Sequence, residues 1–176
     1  PTTLDVGLSG LEPLPDMLPA NSLLLVVGNG NEAVDYQSAA ADAVVRWLKD
    51  VPLADTRLAS ICSGALLLAK AGCLAGQRCT THHSLLQALR EAEPAAEVEV
   101  DRIFVDDGQT LTSAGISTGI DLALHIIEQY AGAELAARVA RRLVIYQRRG
   151  PNDPQLSAWL AWRNHMHPAV HRTQDA

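Results

Sequence analysis

The stretch Thr56–Gly72, reading Thr-Arg-Leu-Ala-Ser-Ile-Cys-Ser-Gly-Ala-Leu-Leu-Leu-Ala-Lys-Ala-Gly, leaves the chain the fewest choices. Arg57 to Ile61 is short, apolar and β-compatible. Ala65 to Ala71 is rich in strong helix formers and stops at Gly72, a residue suited to the left-handed position that closes a helix. Only Cys62, Ser63 and Gly64 separate strand from helix. A turn that tight projects its central side chain above the carboxyl end of a sheet, as a nucleophile elbow does. Ser60, Ser63 and Gly64 supply the small neighbours it needs. A thiol there feels the positive end of the helix dipole, which favours thiolate. Cys62 is therefore the first candidate for chemistry. The competing reading is a buried structural thiol, since free cysteine packs as a small hydrophobe.

The surrounding pattern alternates strands with helices. Pro1 to Pro19 is an irregular lead-in punctuated by Pro13, Pro15 and Pro19. Ser22–Val27 is a continuous apolar run, which predicts a strand buried on both faces. Gly28-Asn29-Gly30-Asn31 breaks it, and a helix is expected over Asp35–Asp50, with Pro52 barring its return. After the elbow unit come a short strand at Arg78–Thr81 and a compact helix at Ser84–Glu91. Strand-like segments follow at Glu97–Val100 and Arg102–Val105, then a hairpin turn at Asp106-Asp107-Gly108 and a strand at Thr110–Ser113. Ala114-Gly115-Ile116-Ser117 opens the best helix, striped by Ile120, Leu124, Ile127 and Tyr130. Gly132 ends it, and Ala133–Leu143 is a further amphipathic helix. From Gln147 the chain turns polar and Pro-punctuated, which reads as the edge of a domain, followed by a short helical or linker piece at Ser157–Asn164. At 176 residues this is one domain.

Alternating strands and helices imply an α/β fold whose mostly parallel sheet carries helices on both faces. Ligands of such sheets sit at the carboxyl ends of the strands. Four turns are expected to converge there: Gly28–Asn31, Cys62–Gly64, Thr81–His83 and Ala114–Ser117. Cys62 with His82 or His83 is the sharpest constellation, because a thiol nucleophile needs a base or cation nearby. The N–H of Ser63 and those around Asn29 and Gly30 would serve as oxyanion donors. Alternatively, both histidines cap or pack the start of the Ser84 helix. Gly28 to Ala33 fits a dinucleotide fingerprint, but the next strand ends in Cys62 where the fingerprint wants an acid. Cys79-x-x-His82 and His165-x-His167-x-x-x-His171 read as incidental, so neither metal nor cofactor is expected.

Charge and cysteines limit the partners. A net charge of −6 argues against this segment holding nucleic acid through its own surface. Three cysteines, Cys62, Cys73 and Cys79, form no C-x-x-C pair, which fits a reducing cytoplasm. No apolar run reaches the length of a membrane span, so no membrane partner is expected.

The block Ser60–His82 resembles the elbow-to-histidine segment of the ThiJ/PfpI, class I glutamine-amidotransferase-like superfamily. Phe104–Asp121, Ala140–Val144 and Arg163–Asp175 are similar to one branch, the N-terminal domain of GlxA-type transcriptional regulators of the AraC family. The resemblance runs from Ser22 to the end and implies a flavodoxin-like three-layer sandwich. By position, Cys62 matches the elbow cysteine and His82 the histidine after Thr-Thr. Ser84 stands where true glutamine amidotransferases carry the Glu of a His-x-Glu pattern, so glutamine hydrolysis is not expected. The superfamily normally begins with a strand ending in an acidic residue beside the cysteine, and this chain is expected to start after that unit. The resemblance thus implies a sensor domain over residues 1–147 and a linker over 148–176 toward a helix-turn-helix domain that contacts DNA. A homodimer and a small-molecule ligand are implied as partners. Gly28, Asn29, Gly30, Ser63, His83, Gly115 and Ile116 would line the ligand site around Cys62 and His82. The alternative is a cysteine-dependent small-molecule hydrolase or hydratase using Cys62.

Overall fold

The structure, a computed structural model, describes residues 9–28 and 38–157. Among them, four strands form the main sheet in the order β1-β2-β6-β5. β1 (Ser22–Val27) runs parallel to β2 (Thr56–Ile61), with Ser22 opposite Thr56 and Val27 opposite Ile61. β2 is parallel to β6 (Thr110–Ser113), and β5 (Phe104–Asp106) closes the described sheet as an antiparallel hairpin partner of β6. A second, two-stranded parallel sheet pairs β3 (Arg78–Cys79) with β4 (Glu97–Val98). Both are shorter than the sequence predicts.

Side-chain alternation along β2 splits the core into two layers. Leu58 faces a cluster with Val26, Leu48, Leu66 and Leu68, built from α1 (Ala39–Asp50) and α2 (Gly64–Lys70), and Leu89 joins it from α3 (Leu86–Ala92). Ala59, the next residue, faces the opposite cluster with Phe104, Leu111 and Leu122, the last from α4 (Ile116–Arg142). Helices therefore cover both faces of a mostly parallel sheet, as in the flavodoxin-like sandwich. No helix of the described residues is long and apolar enough to cross a membrane.

Two boundaries differ from expectation for local reasons, and one break falls where the sequence puts it. α1 begins at Ala39 because the Ser38 side chain accepts a hydrogen bond from the Ala41 N–H at 3.2 Å, which is N-cap geometry; Asp35 to Gln37 lie outside the described residues. α3 is preceded by a 3-10 turn at His83–Leu85. Gly132, at φ 84°, interrupts α4 where the sequence ends one helix and starts another.

β1 corrects the sequence reading. It was expected to be buried on both faces, yet among the described residues it pairs with β2 alone. Leu24 and Val26 pack inward, while Leu25 and Val27 are 47% and 61% exposed. An apolar run specifies strand and hydrophobicity but carries no information about how many strands lie beside it.

Candidate functional site

Cys62 follows the last residue of β2 and adopts φ 55°, a left-handed backbone that non-glycine side chains rarely take. That conformation turns the chain from β2 into α2 within two residues. Three hydrogen bonds hold it. The Cys62 N–H donates to the Ser113 carbonyl at 2.9 Å, the Ala65 N–H donates to the Cys62 carbonyl at 3.3 Å, and the Thr81 hydroxyl donates to that same carbonyl at 2.8 Å. The elbow is thus fixed from its own helix, from β6 and from the loop after β3. The Cys62 side chain is half-buried, Ser63 is buried, and Thr81 is fully buried.

The loop after β1 presses onto the elbow. The Gly28 N–H donates to the Ile61 carbonyl at 2.9 Å. A Cβ on Gly28 would collide with Ser63 Oγ and stand 2.7 Å from the Ser63 backbone nitrogen. A Cβ on Gly64 would run into the Val26 carbonyl oxygen. Only two glycines allow β1 and the start of α2 this close approach. Asn29 and Gly30 lie outside the described residues.

His82 stands at the N-cap of the 3-10 turn. Its Nδ1 lies 2.8 Å from Ser84 Oγ and accepts from the Ser84 N–H at 3.4 Å. With Nδ1 accepting, the proton of the neutral ring is assigned to Nε2. Burial, and secondarily the neighbouring charge of His83, pushes the His82 pKa below its usual value. The ring is therefore held neutral near neutral pH, as a donor through Nε2. His83, exposed, stacks on it with centroids 4.2 Å apart. A Cβ on Gly115 would lie 3.8 Å from His82 Cδ2. Gly115 caps α4, where its N–H donates to Thr118 Oγ1 at 2.6 Å. Ile116, the first residue of that helix, is 81% exposed at the rim.

The described parts of the four strand-end turns are therefore neighbours. Gly28 touches Ser63, Thr81 is bonded to Cys62, and Gly115 faces His82. No hydrogen bond joins the Cys62 thiol to either histidine, and Ser84, the residue at the position of an amidotransferase glutamate, is engaged with His82 itself. An activated thiol–imidazole pair needs a ring nitrogen free to accept, and the assigned tautomer offers none at Nδ1. Among the described residues no group of three or more His, Cys, Asp or Glu side chains is placed to hold a metal ion. Sequence reasoning passed over Thr81 as a holder of the elbow, because its bond to Cys62 spans 19 residues and leaves no local pattern.

Comparisons with known proteins agree on one family. A family model described as the DJ-1/PfpI family matches residues 12–129. The HTH-type transcriptional regulator CdhR of Pseudomonas aeruginosa is 36% identical over 117 residues, which span 66% of this chain and 34% of the regulator. The HTH-type transcriptional regulator GbdR of the same species is 31% identical over 150 residues, 83% of this chain and 40% of that protein. The chain thus spans well under half the length of these regulators. A crystal structure of an AraC family transcriptional regulator from Pseudomonas putida superposes with a TM-score of 0.57 at 25% identity, covering 68% of this chain and 62% of that one.

Proposed function

Because the chain belongs to the DJ-1/PfpI family, we propose that it is the ligand-sensing domain of an AraC-type transcriptional regulator, with its ligand in the crevice between Cys62, His82, Gly28 and Gly115. The observation that carries this reading is the likeness to CdhR and GbdR over 66% and 83% of the chain. The site chemistry supports it from the other side, since a sensor needs a shaped polar pocket and no activated nucleophile. Ser63, His83 and Ile116 border the proposed site; Asn29 and Gly30, which the sequence also assigns to it, lie outside the described residues. Residues 1–147 form the sensing unit, and 148–176 lead toward a helix-turn-helix domain that contacts DNA in the cytoplasm. This segment, at a net charge of −6, is not the DNA-binding surface. The regulator works as a homodimer, which matches a two-fold protein to paired half-sites.

A second reading, a cysteine-dependent hydrolase or hydratase, draws on the left-handed Cys62 turn, since strain of this kind collects at reactive positions. One experiment separates the two. The 176-residue chain is screened by thermal shift against a library of small metabolites, and each hit is incubated with protein and recovered for mass spectrometry. The sensor reading expects stoichiometric binding, hits recovered unchanged, and weaker binding in Gly28→Ala. Conversion of a hit by the wild type that ceases in Cys62→Ser would replace the sensor with the enzyme.

A further inference from the structure

Beyond α4 the chain doubles back over the domain, and its contacts fall on the first turns of α4 and on Thr81. Arg149 forms a fork on Asp121: its Nε and a terminal nitrogen reach Asp121 Oδ2 at 3.0 and 2.6 Å, and its backbone N–H reaches Oδ1 at 3.2 Å. Asp121 is 6% exposed, so its carboxylate is held away from water, while the Arg149 guanidinium stays partly exposed. The same guanidinium donates to Ser117 Oγ at 3.2 Å, within the first turn of α4 beside Gly115 and Ile116. Six residues on, the Gln155 side-chain amide donates to the Thr81 carbonyl and the Arg102 carbonyl, both at 3.0 Å. The Gln155 N–H donates to Asp101 Oδ1 at 3.0 Å.

Thr81 is the residue whose hydroxyl holds the Cys62 carbonyl. A continuous path therefore runs from Gln155 through Thr81 to the strained elbow, and a second from Arg149 through the first turn of α4 to the Gly115–His82 wall. The two ends of one short segment clamp the two sides of the crevice. We propose that residues 148–155 form a strap that reports the state of the crevice. A ligand that shifts Thr81 or the start of α4 changes the docking of the strap, and release of the strap changes the elbow in turn. This rests on the sensor reading above and names the element that carries its output. Reciprocity is required, because coupling between two sites is one free energy seen from either end. A fork on a buried carboxylate suits a docked-or-released element, since geometry and charge are both lost once the fork opens.

The test uses the 176-residue chain, iodoacetamide as the probe of Cys62, and trypsin as the probe of the strap, which carries cleavable bonds after Arg148 and Arg149. Asp121→Asn and Gln155→Ala should raise tryptic cleavage within the strap by roughly tenfold, as a half-buried forked pair or a multiply bonded amide is lost. Both variants should also shift the Cys62 alkylation rate by about threefold or more, as a coupling of ordinary size requires. Glu128→Gln breaks only the exposed pair of Glu128 with Arg148 and should leave the Cys62 rate at the wild-type value. Hydrogen exchange on the wild type, before and after alkylation at Cys62, needs no variant and should show altered protection over residues 148–155. Unaltered protection there, or a Cys62 rate equal to wild type in a folded variant whose strap is cleaved faster, overturns the proposal. Either result leaves the metabolite screen, and with it the sensor reading, standing. A screen that finds turnover removes the sensor reading and leaves the strap coupling to be judged on these rates.

Discussion

The hydroxyl of Thr81 donates a 2.8 Å hydrogen bond to the carbonyl of Cys62, so the loop that carries His82 also holds the left-handed turn that carries the thiol. Thr81 is fully buried, and its partner has one further bond, the 3.3 Å contact from the Ala65 N–H. Thr81→Val removes the donor and keeps the shape. Urea unfolding should show a loss of roughly 1–2 kcal/mol, the range for a buried hydrogen bond removed from one side. Thr81→Ser should recover most of it.

Gly28→Ala addresses the second contact of the elbow. The new methyl would overlap Ser63 Oγ and crowd the Ser63 nitrogen, and backbone on both sides limits relief. Overpacking of this kind costs about 1–3 kcal/mol. Equilibrium denaturation should place the loss in that range, with Gly64→Ala at its upper end, because the obstacle there is the Val26 carbonyl rather than a movable side chain.

The fold was legible where signals are local. Strand, tight turn and helix around Cys62, the apolar run of β1 and the break at Gly132 all follow from neighbouring residues, and the structure reproduces each, with Gly64 already in the helix. The covering of β1 was not legible, since Leu23, Leu25 and Val27 look the same in sequence whether a neighbour lies against them or not. Nor were the links that assemble the crevice. Thr81 to Cys62, Arg149 to Asp121 and Gln155 to Thr81 are pairings between polar residues far apart in the chain. A polar, Pro-punctuated stretch such as 147–155 shows the same composition whether it docks or hangs free.

His82 sets a pH dependence whose sign follows from its environment. Its folded pKa lies below the unfolded value, through burial first and the His83 charge second. In the interval between the two values the unfolded chain binds the proton and the folded chain does not, so stability falls as pH drops below about 6.5. The fall ends once the folded pKa has been passed. His82→Gln should flatten this part of the stability profile, followed by urea midpoints between pH 5 and pH 8 in steps of about half a unit. A profile of unchanged slope would mean that another group is responsible.

If the strand-end turns build an accessible site around Cys62, the three cysteines react in a fixed order. Cys62 stands half-buried at the turn from β2 into α2. Cys73 is also half-buried, but burial pushes its thiol pKa up. Cys79 is fully buried in β3, with its pKa pushed up to about 12 by burial and by the carboxylates of Asp107 and Glu99. Thiolate is the reactive form, so both are slowed. Mass-spectrometric mapping of a short iodoacetamide pulse on the folded protein should find Cys62 labelled first, Cys73 later and Cys79 last. Cys73 or Cys79 labelled ahead of Cys62 would contradict the account at its foundation.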